Sequence, residues 1–127
     1  MRTVRNAVFC LLLVWSLVIG GCGGSKKADE NKPLPQVKAE ADKMDAARLR
    51  DMAMKYKEAI EARTADVDEI AAKLKAILPT EAAGGEMEQL KTDLENLTKS
   101  VSALQERFQV YYQKLKEKGG DLSGLEI

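Results

Sequence analysis

The sequence predicts an all-α protein, a two-helix antiparallel coiled-coil hairpin set behind an apolar leader and a polar tether. Three observations predict it. Strong helix formers (Ala, Leu, Glu, Lys, Met, Gln and Arg) dominate everything after residue 36. Two apolar stripes advance in alternating steps of three and four, the spacing of helices that pack along a seam. Pro79, Gly84 and Gly85 separate the stripes, and such residues mark a turn. At 127 residues the chain holds one small domain.

The first element, residues 1–21, reads as a signal peptide. Arg2 and Arg5 precede an apolar run from Ala7 to Ile19, and small residues follow at Gly20 and Gly21. That order of charge, apolar core and small residues is the secretory pattern. A retained membrane span needs about 20 apolar residues. This run is shorter, and Gly20, Gly21, Gly23 and Gly24 weaken its far end. Ile19-Gly20-Gly21-Cys22 resembles the lipobox of bacterial lipoproteins: an aliphatic residue, two small residues, then the cysteine. The resemblance implies cleavage between Gly21 and Cys22, a diacylglyceryl group on the Cys22 sulfur and an acyl group on the new amino terminus. Cys10 then leaves with the signal, so the mature chain forms no disulfide. One acyl chain holds a protein to a bilayer only reversibly, and two or more hold it stably. Enterobacterial lipoproteins with Asp after the cysteine tend to stay in the inner membrane. Gly23 at that position implies an outer-membrane anchor facing the periplasm.

Residues 22–35 form the expected tether. Gly23–Pro35 is glycine-rich, then charged, then broken by Pro33 and Pro35, a linker composition. Those residues reach roughly 45 Å at full stretch. Lys26 and Lys27 serve either contact with anionic headgroups or plain solubility.

The hairpin is expected over 36–118, with helices at about 37–78 and 86–118 and a turn at 79–85. The first stripe is Ala46, Leu49, Ala53, Tyr56, Ile60, Arg63, Val67, Ile70, Leu74, Ile77. Pro79 ends it. The second is Met87, Leu90, Leu94, Leu97, Val101, Leu104, Phe108, Tyr111, Leu115, stopped by Gly119 and Gly120. Acids lead each helix (Glu40, Asp42, Asp45; Glu86, Glu88) and lysines end it (Lys73, Lys75; Lys114, Lys116, Lys118), in agreement with the helix dipole. Antiparallel folding pairs residues whose numbers sum to about 164, so Ile70 meets Leu94, Ile60 meets Leu104, and Ala53 meets Tyr111.

Arg63 is the one strongly polar residue on the first stripe. Either its stem packs while its head reaches water or Asp66, or it specifies register or partner. Met52, Val110 and Tyr112 flank the seams and, with Arg63, form a candidate partner patch. The tail, 119–127, carries Leu122, Leu125 and Ile127. It either folds back over the open end of the hairpin or extends as a docking peptide.

The sequence excludes much chemistry. Lys and Arg total 20 against 20 Asp and Glu, without the basic excess of a nucleic-acid binder. There is no histidine, the commonest general base and metal ligand. No phosphate loop, HExxH, CxxC or GxSxG occurs. Neither an enzyme nor a cofactor, metal or small-molecule substrate is expected. The expected partners are a membrane, through the lipid on Cys22, and a second copy or another envelope protein, because a lone two-helix hairpin is marginal. In plan the chain resembles the murein lipoprotein, a lipidated cysteine followed by coiled coil. The break at Pro79 and the ending in Ile127 depart from that family's single helix and terminal lysine, so wall attachment is not implied. The leading expectation is a structural or scaffolding lipoprotein of the cell envelope. The alternative is an accessory binding subunit of a secretion, efflux or assembly machine, docking through its tip.

Overall fold

A computed structural model describes residues 28–77 and 84–127. The expected signal peptide, Gly21, Cys22, the first part of the tether and most of the expected turn lie outside these residues. Every regular element among the described residues is an α-helix: α1 (Leu34–Asp42), α2 (Ala46–Ile77) and α3 (Gly84–Glu117).

There are three helices where two were expected, and the difference lies at the start. The expected helix from residue 37 is divided by a turn at 43–45, and the end of the expected tether is helical. Pro33 and Pro35, read as linker stiffeners, instead open α1. Proline suits a first helical turn, where its missing N–H has no intrahelical partner to lose. Val37 and Ala41, four apart and so on one face, are buried there. Asp45 then starts a new helix, because its carboxylate accepts the Arg48 N–H at 2.8 Å, the N-cap arrangement. Asp42 pairs with Lys114 across to α3 at 2.8 Å, so two acids expected to lead one helix act in different places.

α2 and α3 pack along one another with the start of α2 beside the end of α3. Tyr56 stacks on Tyr111, ring centres 5.4 Å apart. Ala53, the expected partner of Tyr111, is fully buried in the same core, and its small side chain lets the two rings meet one turn further along. α3 begins at Gly84 rather than 86, so Gly84 and Gly85 belong to the helix rather than the turn. At its other end Gly119 has φ +67°, a left-handed conformation that costs glycine little. The Gly120 N–H reaches the Leu115 carbonyl at 2.9 Å and the Gly119 N–H reaches that of Lys116 at 3.0 Å. These two bonds are the Schellman closure of a helix. A Cβ on Gly120 would stand 2.1 Å from Leu115 Cδ1, so the chain turns hard against the helix it has just left.

The tail folds back. Arg50 donates to the Ser123 carbonyl at 3.1 Å, and Lys57 to the carbonyls of Gly124 at 3.0 Å and Glu126 at 2.7 Å. Leu125 is buried and Leu122 half-buried against the core, while Ile127 is exposed. The tail thus packs beside Arg50–Lys57 rather than at the very end of the helix pair.

The core occupies one end of the molecule. Its buried members are Val37 and Ala41 of α1, Leu49 to Ile60 of α2, Leu104 to Leu115 of α3, and Leu125. Between residues 61 and 77, and between 84 and 103, no residue is buried. We call the packed end the base and the remainder the distal arm.

Candidate functional site

Two helices can shield only the sides that face each other. In the distal arm no third helix covers them among the described residues, and Glu30 of the preceding segment touches only the arm's inner end, at Ser100. Val67, Ile70 and Leu74 of α2 and Met87, Leu90, Leu94 and Leu97 of α3 are all half-buried, whereas their counterparts Leu49, Tyr56, Leu104, Phe108 and Leu115 are fully covered. One face of the arm opens as a groove of about 420 Å³ lined by Glu30, Arg63, Ile70, Asp93, Asn96, Leu97 and Ser100. Its outer flanks carry exposed ion pairs, Glu69–Lys73 and Glu95–Lys99, each at 2.6 Å. The adjacent lysine ammonium holds each of these glutamates below its ordinary pKa. The arm's apolar seam is thus half-covered, and the groove beside it sets Ile70 and Leu97 among polar and charged side chains.

At the base end of the groove residues 28–33 cross the helices as an irregular strap. The Tyr56 hydroxyl donates to the Asp29 carbonyl and accepts the Asp29 N–H, both at 3.1 Å. Arg107 Nε donates to the Lys32 carbonyl at 2.9 Å, and its Nη1 to Ala103 within α3 at 2.6 Å. Ser100 Oγ donates to the Glu30 carboxylate. Arg107 is only 8% exposed, so these carbonyls satisfy a guanidinium that burial would otherwise destabilise. Burial raises the Tyr56 pKa, with the Asp29 hydrogen bond acting against it. Stacked on Tyr56 in the core, Tyr111 is pushed up to about 12 by burial, and its hydroxyl has no hydrogen-bond partner. The strap borders a second opening of about 470 Å³, shared with Ala59, Arg63 and Leu104.

The expected patch of Met52, Arg63, Val110 and Tyr112 is not assembled as one surface. Met52 is buried in the core and presents nothing to a partner. Tyr112 is half-buried and tilts against Phe108 at 5.7 Å. Val110 lines a separate groove beside α1 with Lys38 and Asp42. Arg63 is exposed and pairs with Asp66 at 3.6 Å, which is the snorkelling arrangement and offers no buried register contact. It does border both openings. Gly21 and Cys22, the expected cleavage and lipid-attachment residues, lie outside the described residues.

Arg107, Asp29 and the Tyr56 hydroxyl were not legible as a latch. Arg107 lies one residue off the apolar stripe and reads as a solvated cation, and its partners are backbone carbonyls that carry no side-chain signature. Pro33 and Pro35 held the available signal, since proline opens helices as well as stiffening linkers. Among the described residues no cluster of acids and cysteines has metal-binding geometry. No described helix is long and apolar enough to cross a membrane. The chain matches no protein-family profile, no curated protein and no solved structure.

Proposed function

We propose that this chain is a lipid-anchored, non-catalytic scaffolding protein of a bacterial cell envelope, acting through coiled-coil association of its distal arm. Its α2 and α3 act as an antiparallel coiled-coil hairpin, and α1, the strap and the tail complete the core at the base. The observation that carries the reading is the contrast in burial along one continuous pair of helices: the seam is closed at the base and half-open from Val67 to Leu74 and from Met87 to Leu97. A seam that continues beyond its own cover is built to be covered by something else, either a second copy or another envelope protein. The membrane side of the reading rests on Ile19-Gly20-Gly21-Cys22 and the apolar leader before it, and Gly23 favours an outer-membrane address facing the periplasm.

Two experiments test it. Cells fed labelled fatty acid should label the wild-type protein and leave Cys22→Ser unlabelled; equal label on both removes the anchor. Sedimentation of the detergent-solubilised protein should show concentration-dependent association that Leu94→Glu abolishes. A monomer at every concentration that also captures no envelope protein after crosslinking in cells would remove the scaffolding role.

A further inference from the structure

We propose that the strap fixes which way the molecule faces: with Cys22 lipidated, the base and the flank bearing the strap sit against the bilayer, and the distal arm inclines away from it. This rests on the lipid anchor proposed above.

The argument is one of reach. Were Gly23–Pro35 wholly free, it would extend roughly 45 Å, and the body could hang in any orientation. The docked strap removes most of that slack. Asp29 is held to Tyr56 through both its N–H and its carbonyl, Arg107 holds the Lys32 carbonyl, and Ala28 packs against the core. Six Cα steps separate Cys22 from Ala28, and whatever path they follow they span at most about 22 Å. Ala28 borders the same opening as Ala59 and Leu104. Ala59 stands about 20 Å along α2 from Ala46 and about 27 Å from Ile77, with the connector still to come beyond Ile77. At full stretch the anchor comes about level with Ala46 and falls short of Ile77, so the molecule cannot stand tip-down.

The surface decides between an inclined arm and a flat one. Ile127 is the one strongly exposed large hydrophobic residue among those described, and it belongs to the tail. The flanks of the arm carry Glu69, Lys73, Glu95 and Lys99 in exposed ion pairs, which gain nothing by entering a headgroup layer. No apolar face of the arm's exterior is offered to lipid, so tether length alone sets the approach.

The test uses the mature protein, lipidated in cells fed labelled fatty acid, with Ala47→Cys or Ala76→Cys as its single free thiol. Both alanines are exposed and lie near opposite ends of α2. A fluorophore on either thiol is read in phosphatidylcholine–phosphatidylglycerol vesicles carrying a headgroup nitroxide. The expected result is quenching at 47 and full emission at 76, about 44 Å further along the helix. In Tyr56→Phe/Arg107→Gln, which frees the strap while keeping the aromatic ring, the contrast between the sites should collapse. Equal quenching at both sites, stronger quenching at 76, or an unchanged contrast in the strap variant would overturn the proposal. A chain without fatty-acid label overturns it together with the anchor, whereas a labelled chain with the wrong ranking overturns the orientation alone.

Discussion

The base and the distal arm are made of the same two helices, with the same heptad spacing, yet they differ in what covers them. At the base five pieces of chain converge: α1, the strap, the tail and the packed halves of α2 and α3. Tyr56, Phe108, Tyr111, Leu49, Leu115, Leu125 and Val37 are all less than 2% exposed there. In the arm Val67, Leu74, Leu90 and Leu94 occupy equivalent seam positions and remain half-buried. Apolar spacing thus fixes which face of a helix is sticky, and whether that face is covered depends on neighbours that the spacing does not name. The base is closed around its own core, and the arm extends from it with its seam half-covered.

The largest expected effect breaks the contrast from the base side. Phe108→Ala should cost about 3–5 kcal/mol, the range for a buried aromatic, while Leu94→Ala should cost less than half of that because Leu94 already meets solvent. Thermal or urea unfolding of both variants checks the ratio. Equal losses would mean that the arm is as well covered as the base.

Next comes the tail. Leu125→Ala should cost about 2–4 kcal/mol and should loosen the base without changing association through the arm. Denaturation paired with sedimentation reads both, and a change in association without loss of stability would place the tail at the partner interface instead.

The two tyrosines sharpen the comparison through pH. Tyr111 is neutral in the folded state up to about 12, against an ordinary value near 10 in the unfolded chain. A raised tyrosine pKa leaves stability intact below pH 10. As pH rises from 10 towards 12 the unfolded chain ionises first, so stability falls, by on the order of 2–3 kcal/mol. Tyr111→Phe should flatten that fall. Unfolding free energies measured between pH 8 and 11.5 test the sign, and a fall of equal size in the variant would assign it to another group.

The smallest effect is also the most local. At pH 7 Tyr111→Phe removes a buried hydroxyl that has no partner and should be neutral or stabilising by up to about 1 kcal/mol. By contrast Tyr56→Phe, which strands the Asp29 N–H and carbonyl, should cost about 1 kcal/mol. The two substitutions delete the same atom from stacked neighbours, so opposite signs in one melting experiment isolate the strap's hydrogen bonds from ring packing.

Much of the helical content was legible because it depends on residues that repeat. The stripes from Ala46 to Ile77 and from Met87 to Leu115 coincide with α2 and α3, and Gly119 closes α3 where glycine was expected to. What was not legible depends on single contacts. Asp45 reads equally well as a first-turn acid or as an N-cap, and only the turn at 43–45 decides. Pro33 and Pro35 suit a linker or a helix start, and the buried Val37 and Ala41 tip them to the second. Met52 looked like a flanking residue because the expected fold had only two helices. Arg107 gave no sign of its role, since its partner is the backbone of Lys32, 75 positions away in sequence.

Amide hydrogen exchange of the protein at low and high concentration tests the central claim most directly. In dilute solution the amides of Leu49–Ile60 and Leu104–Leu115 should exchange slowly while those of Val67–Leu74 and Leu90–Leu97 exchange fast, and the arm should gain protection as the protein associates. Uniform protection along both helices in the dilute monomer would contradict the division into a self-sufficient base and an arm that needs a partner.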